Sequence, residues 1–338
     1  MSRYAPRAAI ARAICRGYAL SMQMPDAKTP LKIGTRGSPL ALAQAHETRA
    51  RLMAAHGLPE GAFEIVVIKT TGDDRTLIAA DRPLKEIGGK GLFTKEIEDA
   101  LLAGGIDIAV HSMKDMPVAQ PAGLLLDCHL PREDVRDAFV SPAVARLADL
   151  PEGAVVGSSS LRRRAQLAHR RPDIRLVQFR GNVQTRLKKL NVGVAAATFL
   201  AMAGLNRLGM AEVAKSAIAP EEMLPAVAQG AIGIERRAAD SRAAALLAAI
   251  HDRATGEGLA AERAFLAALD GSCETPIAGL ALHVDDGLWL RGEILRPDGS
   301  EVIAGERRCA VADAAEAGAD LARELLGRAP AGFFDWRG

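Results

Sequence analysis

Short apolar stretches alternate along this chain with helix-forming segments, and the turns between them are rich in glycine, serine and arginine. The first unit is the predicted strand Leu31-Lys32-Ile33-Gly34, the turn Thr35-Arg36-Gly37-Ser38 and a helix that begins at Pro39. Ser38 suits the N-cap of that helix, and proline suits its first position. A second unit of the same kind occupies residues 154–169. Strands that alternate with helices predict a mostly parallel sheet with helices on its faces, so the fold class is α/β.

The order of these units predicts how the chain is divided. A length of 338 residues favours two or three domains. Two similar α/β halves, joined by crossing segments near 132–136 and 225–231, leave a cleft that is the usual place for a ligand. Predicted strands between 277 and 311, with hairpin turns at Asp286-Gly287 and Asp298-Gly299, indicate a smaller α+β domain with a three-stranded antiparallel sheet. The predicted boundaries are 1–28 for a disordered leader, 29–130 with 231–250 for a first domain, 136–226 for a second and 253–330 for a third.

The composition argues against several classes of protein. Hydrophobic residues make up 49% of the chain and charged residues 25%, which is ordinary for a globular protein. The net charge of +2 gives no sign of a nucleic-acid or membrane partner, and no apolar run is long enough to cross a bilayer. Four cysteines without a C-x-x-C pair, together with scattered histidines, predict no metal site and no disulfide framework. That cysteine usage suits a reducing compartment, so a cytoplasmic location is expected.

The first residues leave the location partly open. Four arginines precede the first acid of the chain, Asp26. An Arg-rich leader that lacks acids is one form of organelle transit peptide. The alternatives are a disordered extension of a bacterial protein, or a later start at Met22 or Met24.

A dense block of basic residues predicts an acidic ligand. Between Gly157 and Leu190, eight arginines and two lysines stand against one acid, Asp173. The first of them, Arg162, Arg163 and Arg164, follow a serine turn at the start of a helix, where backbone N–H groups and the helix dipole favour anions. Guanidinium groups bind carboxylates or phosphates with paired hydrogen bonds. The turns Arg36-Gly37-Ser38 and Arg180-Gly181-Asn182 repeat the arrangement at two further strand ends.

This block has two other interpretations, a solvated basic face and a nucleic-acid surface. Nucleic-acid surfaces usually add aromatic residues for stacking, and this block holds only Phe179. Several anion-binding turns that face one cleft therefore favour a ligand with many carboxylates.

A second motif, Val110-His111-Ser112-Met113-Lys114-Asp115, follows a predicted buried strand. The carboxyl end of such a strand is where α/β proteins place ligands. The Asp115 carboxylate, close to Lys114 and the cleft arginines, should stay ionised. It can then stabilise a cation or exchange protons with one. The alternative is an aspartate that caps the loop and a lysine that pairs on the surface.

A third motif, Gly271-Ser272-Cys273-Glu274-Thr275-Pro276, predicts a functional thiol. A free cysteine is usually a small buried hydrophobic residue, and that interpretation suits Cys128 and Cys309. Gly271 and Pro276 instead place Cys273 in a tight turn, where its side chain is exposed and can react.

Taken together, these stretches resemble the porphobilinogen deaminase (hydroxymethylbilane synthase) family from about Leu31 to Gly327. Such a series in order is specific, although any single piece is not. The matching motifs are Thr35-Arg36-Gly37-Ser38-Pro39-Leu40-Ala41-Leu42, Gly88-Gly89-Lys90-Gly91-Leu92-Phe93, Ala109-Val110-His111-Ser112-Met113-Lys114-Asp115, Gly157-Ser158-Ser159-Ser160-Leu161-Arg162-Arg163, Arg180-Gly181-Asn182-Val183, Ala203-Gly204-Leu205-Asn206-Arg207-Leu208-Gly209, Gln229-Gly230-Ala231-Ile232-Gly233 and the Cys273 loop.

The resemblance implies a monomeric transferase of tetrapyrrole (haem, chlorophyll, corrin) biosynthesis that joins four porphobilinogen molecules head to tail. Ammonia leaves at each step, and the linear product hydroxymethylbilane passes to uroporphyrinogen-III synthase. It further implies a dipyrromethane cofactor on Cys273 through a thioether, Asp115 as the catalytic carboxylate, and two periplasmic-binding-protein-like lobes before the third domain. The implied contacts are Ser38, Lys114, Ser160, Arg162, Arg163 and Arg186 for the cofactor, Arg36, Arg180 and Arg207 for substrate and growing chain, and a mobile cover with Lys90 and Phe93.

Two other functions stay open at this point. The first is a two-lobed binding module for an anionic ligand, which would need neither Cys273 nor Asp115. The second is pyridoxal phosphate chemistry on Lys114, which would give an imine absorbance band.

Overall fold

The structure is a computed structural model that describes residues 23–71, 94–272 and 275–337. Within these residues the chain forms three sheets with helices packed on them. The helices are α1 (Pro39–His56), α2 (Lys95–Leu102), α3 (Leu161–Arg170), α4 (Val183–Asn191), α5 (Met202–Arg207), α6 (Ser241–Ala248), α7 (Arg253–Ala268) and α8 (Ala314–Arg328). The strands are β1 (Leu31–Thr35), β2 (Phe63–Val67), β3 (Ile108–Ser112), β4 (Leu124–His129), β5 (Asp137–Val140), β6 (Val155–Gly157), β7 (Arg175–Val177), β8 (Ala197–Ala201), β9 (Ser216–Ile218), β10 (Ile232–Arg237), β11 (Ile277–Val284), β12 (Gly287–Leu295) and β13 (Val302–Ala310).

The first two sheets share one arrangement. The first has the order β2-β1-β3-β10-β4 and the second has the order β7-β6-β8-β5-β9. In both, two parallel pairings are followed by two antiparallel ones. The third sheet, β11-β12-β13, is antiparallel throughout. The predicted fold class is therefore confirmed, with two mixed α/β sheets and a smaller α+β part.

Polar side chains at the strand-to-helix turns begin the helices that border the cleft. The backbone N–H of Ala41 donates to Ser38 Oγ at 3.3 Å, and that of Arg163 donates to Ser160 Oγ at 3.4 Å. Asn182 caps α4 in the same way. These caps satisfy N–H groups that have no partner within the helix. The sequence signals for α1, α3 and α4 therefore correspond to real helix starts.

Apolar side chains fill the space between each sheet and its helices. Strand residues such as Ile33 and Ile234 pack with Leu52 of α1 and Leu247 of α6 in the first sheet. The second sheet has its own buried groups on its two faces. In the third sheet, β11, β12 and β13 pack against α7 and α8, with Phe265 fully buried between them.

One predicted strand is displaced. The apolar run 194–197 predicted a strand, whereas β8 is Ala197–Ala201. Gly193 has a φ of +76°, and the Val194 N–H donates to Lys189 O, so the helix ends in a turn that takes up the first part of the run. Val194 is 48% exposed as a result.

Part of the predicted leader is described. Near its end the Asp26 carboxylate accepts hydrogen bonds from the N–H groups of Lys28 and Thr29, which form a turn at residues 26–29. Residues 1–22 lie outside the described residues, as do residues 72–93, which include Lys90 and Phe93 of the implied mobile cover.

The chain crosses from the first sheet to the second between β4 and β5, and returns between β9 and β10. At the crossings the backbone comes unusually close to itself. Gly230 has a φ of +89°, and a Cβ there would lie 2.4 Å from Glu133 O. Only glycine tolerates both conditions.

A buried carboxylate ties both crossings to the third sheet. Glu262 of α7 is fully buried, and its oxygens accept hydrogen bonds from the Arg132 guanidinium at 2.6 and 3.1 Å. They also accept from the backbone N–H of Ala228 at 2.6 Å and of Ala281 at 2.8 Å. One side chain therefore joins α7, β11 and both crossing segments.

In the described part of the chain, no helix is both long enough and apolar enough to cross a membrane.

Replacement of the carboxylate by an amide tests this junction. In Glu262→Gln, one oxygen becomes an NH₂ group, and Arg132 is left buried beside a neutral partner. We expect the free energy of unfolding to fall by about 3–5 kcal/mol, as for other broken buried ion pairs. Urea titration measures the change. Glu257→Gln, on the same helix but paired with the exposed side chains of Arg253 and His283, should cost less than about 1 kcal/mol; equal effects of the two substitutions would contradict the assignment.

Candidate functional site

The carboxyl ends of β1, β3, β6 and β7 lead into turns that border the cleft. The turns carry Arg36 and Ser38 after β1, Lys114 and Asp115 after β3, and Ser160 after β6. Asp115 lies in a short 3-10 turn, Met113–Asp115, whose backbone is held to Ala231 near the return crossing. Parallel strands place these turns at one edge of each sheet.

Three adjoining cavities meet at Asp115. The small cavity, about 70 Å³, lies between the first turns of α1 and α2. The loop cavity, about 280 Å³, lies between α3 and the loop that carries position 273. The lobe cavity, about 290 Å³, lies between α1 and the second sheet's helices α4 and α5. Asp115 borders all three, so one carboxylate faces every part of the cleft.

The two adjacent arginines at the start of α3 are bound to a carboxylate that lies deep inside the second sheet. Asp137, the first residue of β5, is fully buried. It lies 2.8 Å from Arg162 Nη1 and 2.7 Å from Arg163 Nη2. The amide of Gln229 also donates to it, at 2.9 Å. Burial alone would raise the pKa of Asp137, but the charges of Arg162 and Arg163 outweigh that effect and hold the pKa well below its usual range.

Both arginines also bind backbone. Arg162 Nη1 donates to Leu224 O at 2.8 Å, and Arg163 Nη1 donates to Phe199 O at 3.0 Å. Both side chains are nearly buried, yet Arg163 borders the loop and lobe cavities and Arg162 the loop cavity. Two cations share one anion, so the group keeps one net positive charge at the cavity wall.

Lys114 and Asp115 lie side by side on the opposite wall. Burial lowers the pKa of the Lys114 ammonium, and the adjacent Asp115 carboxylate opposes that change. Next to them, Gln44 of α1 donates to Ser112 Oγ at 2.9 Å, and both residues border the small cavity. This wall of the cleft therefore carries a cation, an anion and neutral polar groups close together.

The remaining turn residues of the prediction also border the cavities. Arg36 and Ser38 border the small and lobe cavities, and Ser160 borders the loop cavity. Arg180 borders the loop cavity. Arg186 borders the loop and lobe cavities, and its Nε donates to Gly181 O at 2.9 Å.

Arg207 has a different location. It borders none of the three cavities, and its side chain is 8% exposed. Its Nε donates to Glu47 Oε2 of α1 at 3.1 Å, and its Nη2 donates to Gly230 O at 3.1 Å. In this conformation Arg207 therefore bridges the first sheet's helix α1 and the second sheet's helix α5.

Three predicted residues lie outside the described part of the chain: Cys273, Lys90 and Phe93. The residues on either side of the 273–274 gap are described. Ser272 N–H donates to Thr275 Oγ1 at 2.9 Å, and Thr275 Oγ1 donates to Ser272 O at 2.6 Å. Both residues border the loop cavity. The described residues on either side of the gap therefore both lie at the wall of that cavity.

Sequence reasoning missed two members of this site. Asp137 was not noticed because it lies outside the arginine block, and only the fold brings it beneath α3. Gln44 was missed because a glutamine in a helix carries no local signal. In the described residues, no group of three or more His, Cys, Asp or Glu side chains could hold a metal ion.

The buried carboxylate of the site makes a pH-dependent contribution to stability. Because the pKa of Asp137 is lowered in the folded protein, its contribution is present above the ordinary value of 3.8 and is lost as the pH falls through the folded value. Asp137→Asn should therefore lower the free energy of unfolding by about 3–5 kcal/mol at neutral pH, and by less in acid. Denaturant titration at several pH values measures this. Asp134→Asn, whose carboxylate pairs with the exposed Arg136, is the control; a pH-independent difference for Asp137→Asn would contradict the assignment.

Comparison with solved structures finds partial overlaps. The Bordetella pertussis BvgS VFT2 domain (double mutant) matches with a TM-score of 0.40 and 18% identity, over 73% of this chain and 97% of that one. The methionine binding protein MetQ matches with a TM-score of 0.42 and 12% identity, over 69% of this chain and 94% of that one.

Comparison with protein families and curated sequences covers nearly the whole chain after the leader. The model "Porphobilinogen deaminase, dipyromethane cofactor binding domain" matches residues 31–245, and "Porphobilinogen deaminase, C-terminal domain" matches residues 258–327. The porphobilinogen deaminase of Paracoccus denitrificans (strain Pd 1222) is 74% identical over 314 residues, which are 93% of this chain and 99% of the relative. The chloroplastic porphobilinogen deaminase of Pisum sativum is 54% identical, over 94% of this chain and 87% of the relative. The chain belongs to the porphobilinogen deaminase family.

Proposed function

We propose that this chain is a hydroxymethylbilane synthase (EC 2.5.1.61), which condenses four porphobilinogen molecules head to tail on a dipyrromethane cofactor bound to Cys273. Each step releases ammonia, and the product is linear hydroxymethylbilane. The observation that carries the proposal is the meeting of three cavities at the Asp115 carboxylate. Arginines line these cavities, and both neighbours of the 273–274 gap border one of them.

The loop cavity suits the cofactor. Each pyrrole unit of dipyrromethane carries an acetate and a propionate, and Arg163, Arg180 and Arg186 border that cavity. The net positive charge left at the Asp137 group attracts these carboxylates. We assign Ser38, Lys114, Ser160, Arg162, Arg163 and Arg186 as the residues that hold the cofactor. When bound, the cofactor supplies the nucleophilic pyrrole carbon that the first substrate joins.

Asp115 is the proposed catalytic residue. Departure of ammonia leaves a cation on the incoming pyrrole, and a carboxylate within the cleft stabilises that charge far better than water does. The same oxygen atoms can accept the hydrogen bond of a pyrrole N–H group and take up the proton released after the carbon–carbon bond forms.

For the substrate and growing chain we propose Arg36, Arg180 and Arg207. Arg36 borders the small and lobe cavities, as Asp115 does. Arg207 can contact the growing chain only after it leaves Glu47 and Gly230 O. Lys90 and Phe93 are proposed to belong to a cover over the cleft.

We also propose a location, an oligomeric state and a partner. The protein is proposed to be a monomer in the cytoplasm, with organelle targeting left open, and to pass its product to uroporphyrinogen-III synthase in tetrapyrrole biosynthesis. The three domains are proposed at 29–130 with 231–250, 136–226 and 253–330. Each contains one of the three sheets, and β10 belongs to the first sheet because residues 231–250 are part of the first domain. A two-lobed module that only binds an anionic ligand is the alternative function; it would bind porphobilinogen without releasing ammonia.

The covalent attachment has a direct test. Intact-protein mass spectrometry of Cys273→Ser should lack the increment of two pyrrole units that the unsubstituted protein carries, because serine provides no thiol for the thioether. Cys309→Ser, a partly buried cysteine of β13, should retain the increment. An increment that persists in Cys273→Ser would rule out this attachment site.

Turnover has a separate test. Asp115→Ala should fold and keep the cofactor, yet lose roughly 10²–10⁴-fold in kcat, because Asp115 provides the carboxylate at which the three cavities meet. Ammonia release and product absorbance measure the rate. Asp286→Ala, in an exposed hairpin turn, should leave kcat unchanged. A near-normal rate in Asp115→Ala would refute the catalytic role.

A further inference from the structure

Three ionisable side chains form a buried cluster directly behind the small cavity. His111 lies on β3, Glu235 on the neighbouring strand β10, and Glu98 on α2, which covers that face of the sheet. His111 Nε2 lies 3.3 Å from Glu235 Oε2, with side-chain exposures of 5% and 0%. Glu98 is also buried. We call these three residues the acid–histidine cluster.

The cluster holds more acid than base. Within residues 23–71, 94–272 and 275–337, no hydrogen bond reaches the Glu235 oxygens. Their contact with the His111 ring is an ion pair, which forms when that ring is protonated. The other groups that act on Glu98 are Thr94 and the exposed Asp99, both on or next to α2. Burial raises the pKa of Glu98, and the negative charge of Glu235 raises it further. Glu98 therefore keeps its proton to a higher pH than an exposed glutamate does.

The cluster reaches the reaction centre through the small cavity. His111 and Thr94 border that cavity together with Asp115, Ser112 and Arg36. A volume of about 70 Å³ has room for water molecules that can connect His111 to Asp115, since one water needs roughly 10–15 Å³ of such space. The charged groups that face the cluster are thus Glu98 and Asp99 from α2, Glu235 from β10, Arg36 from the β1 turn, and Lys114 with Asp115 from the β3 turn.

The proposed reaction requires a temporary place for a proton. At each addition the carbon–nitrogen bond of porphobilinogen, whose amine enters as an ammonium group, breaks, and the nitrogen leaves with the bonding electrons as ammonia. A ring carbon of the acceptor pyrrole then forms the new carbon–carbon bond and loses its hydrogen as a proton. This proton is finally taken up by the released ammonia, which becomes ammonium at some distance from the ring carbon. Asp115 can accept the proton, but it must lose it again before it can stabilise the next cation.

We propose that the acid–histidine cluster receives this proton from Asp115 through the small cavity, gives it up to the released ammonia, and so resets the carboxylate between additions. The inference rests on the proposed function of the same site. His111 is the residue that borders the cavity and accepts the proton. Glu235 and Glu98 are positioning residues that act through His111.

The first test uses turnover with porphobilinogen deuterated at the ring carbon that loses its hydrogen. In Glu98→Gln and in His111→Asn, kcat should fall about tenfold and the ratio of protium to deuterium rates should rise, because proton removal becomes the slow step. Glu64→Gln, an exposed glutamate of β2 outside the cluster, should change neither quantity. If both cluster variants keep the kcat and the isotope ratio of the unsubstituted enzyme, the inference is wrong. Absence of turnover in the unsubstituted enzyme would instead overturn the proposed function.

The second test needs no turnover. In infrared difference spectra, the band of a buried protonated carboxylic acid should persist to a higher pH than the bands of exposed glutamates, and Glu98→Gln should remove it. Since the pKa of Glu98 is raised in the folded protein, its favourable contribution to stability is present at low pH and is lost as the pH rises through the raised value. The stability of Glu98→Gln relative to the unsubstituted protein should therefore increase with pH. A spectrum without the acid band, or a stability difference that does not vary with pH, would overturn the inference.

Discussion

The ion pairs of Asp137 are the interaction on which this cleft depends. Two adjacent guanidinium groups at the start of a helix repel each other and are costly to bury. Asp137, which enters the second sheet directly after the first crossing, lies between them and makes their burial possible. These contacts fix the orientation of both guanidinium groups. Because two cations share one carboxylate, one positive charge has no counter-charge within the group. A carboxylate-rich ligand consequently meets cations that are already in position, so little side-chain freedom is lost on binding.

The parts of the protein that local signals determine were predictable. The strand–turn–helix units around Ser38 and Ser160 follow from caps and apolar spacing, and the structure has α1 and α3 where these signals occur. The turn arginines were predicted for the same reason, because a strand end, a cap and a guanidinium are all visible within a few residues. Asp115 at the end of β3 belongs to this class.

The parts that depend on distant pairing were not predictable. β10 inserts between β3 and β4, so Glu235 comes to lie beside His111 from more than a hundred residues away. No spacing rule in the sequence indicates that contact. Arg207 illustrates the same limit, since no local signal in the sequence indicates its ion pair with Glu47. Val194 shows a smaller failure, because a turn after α4 replaced the start of the expected strand.

The Glu262 junction and the ion pair between Arg207 and Glu47 differ in their access to solvent. Glu262 is sealed from water, so dissolved ions cannot reach the junction that it makes with both crossings. Glu47 is 27% exposed, and its bond to Arg207 lies where mobile ions can accumulate. Screening over about 8 Å at physiological ionic strength weakens the second tie and leaves the first intact. The junction at Glu262 therefore keeps its strength, whereas the ion pair between Arg207 and Glu47 weakens as the salt concentration rises.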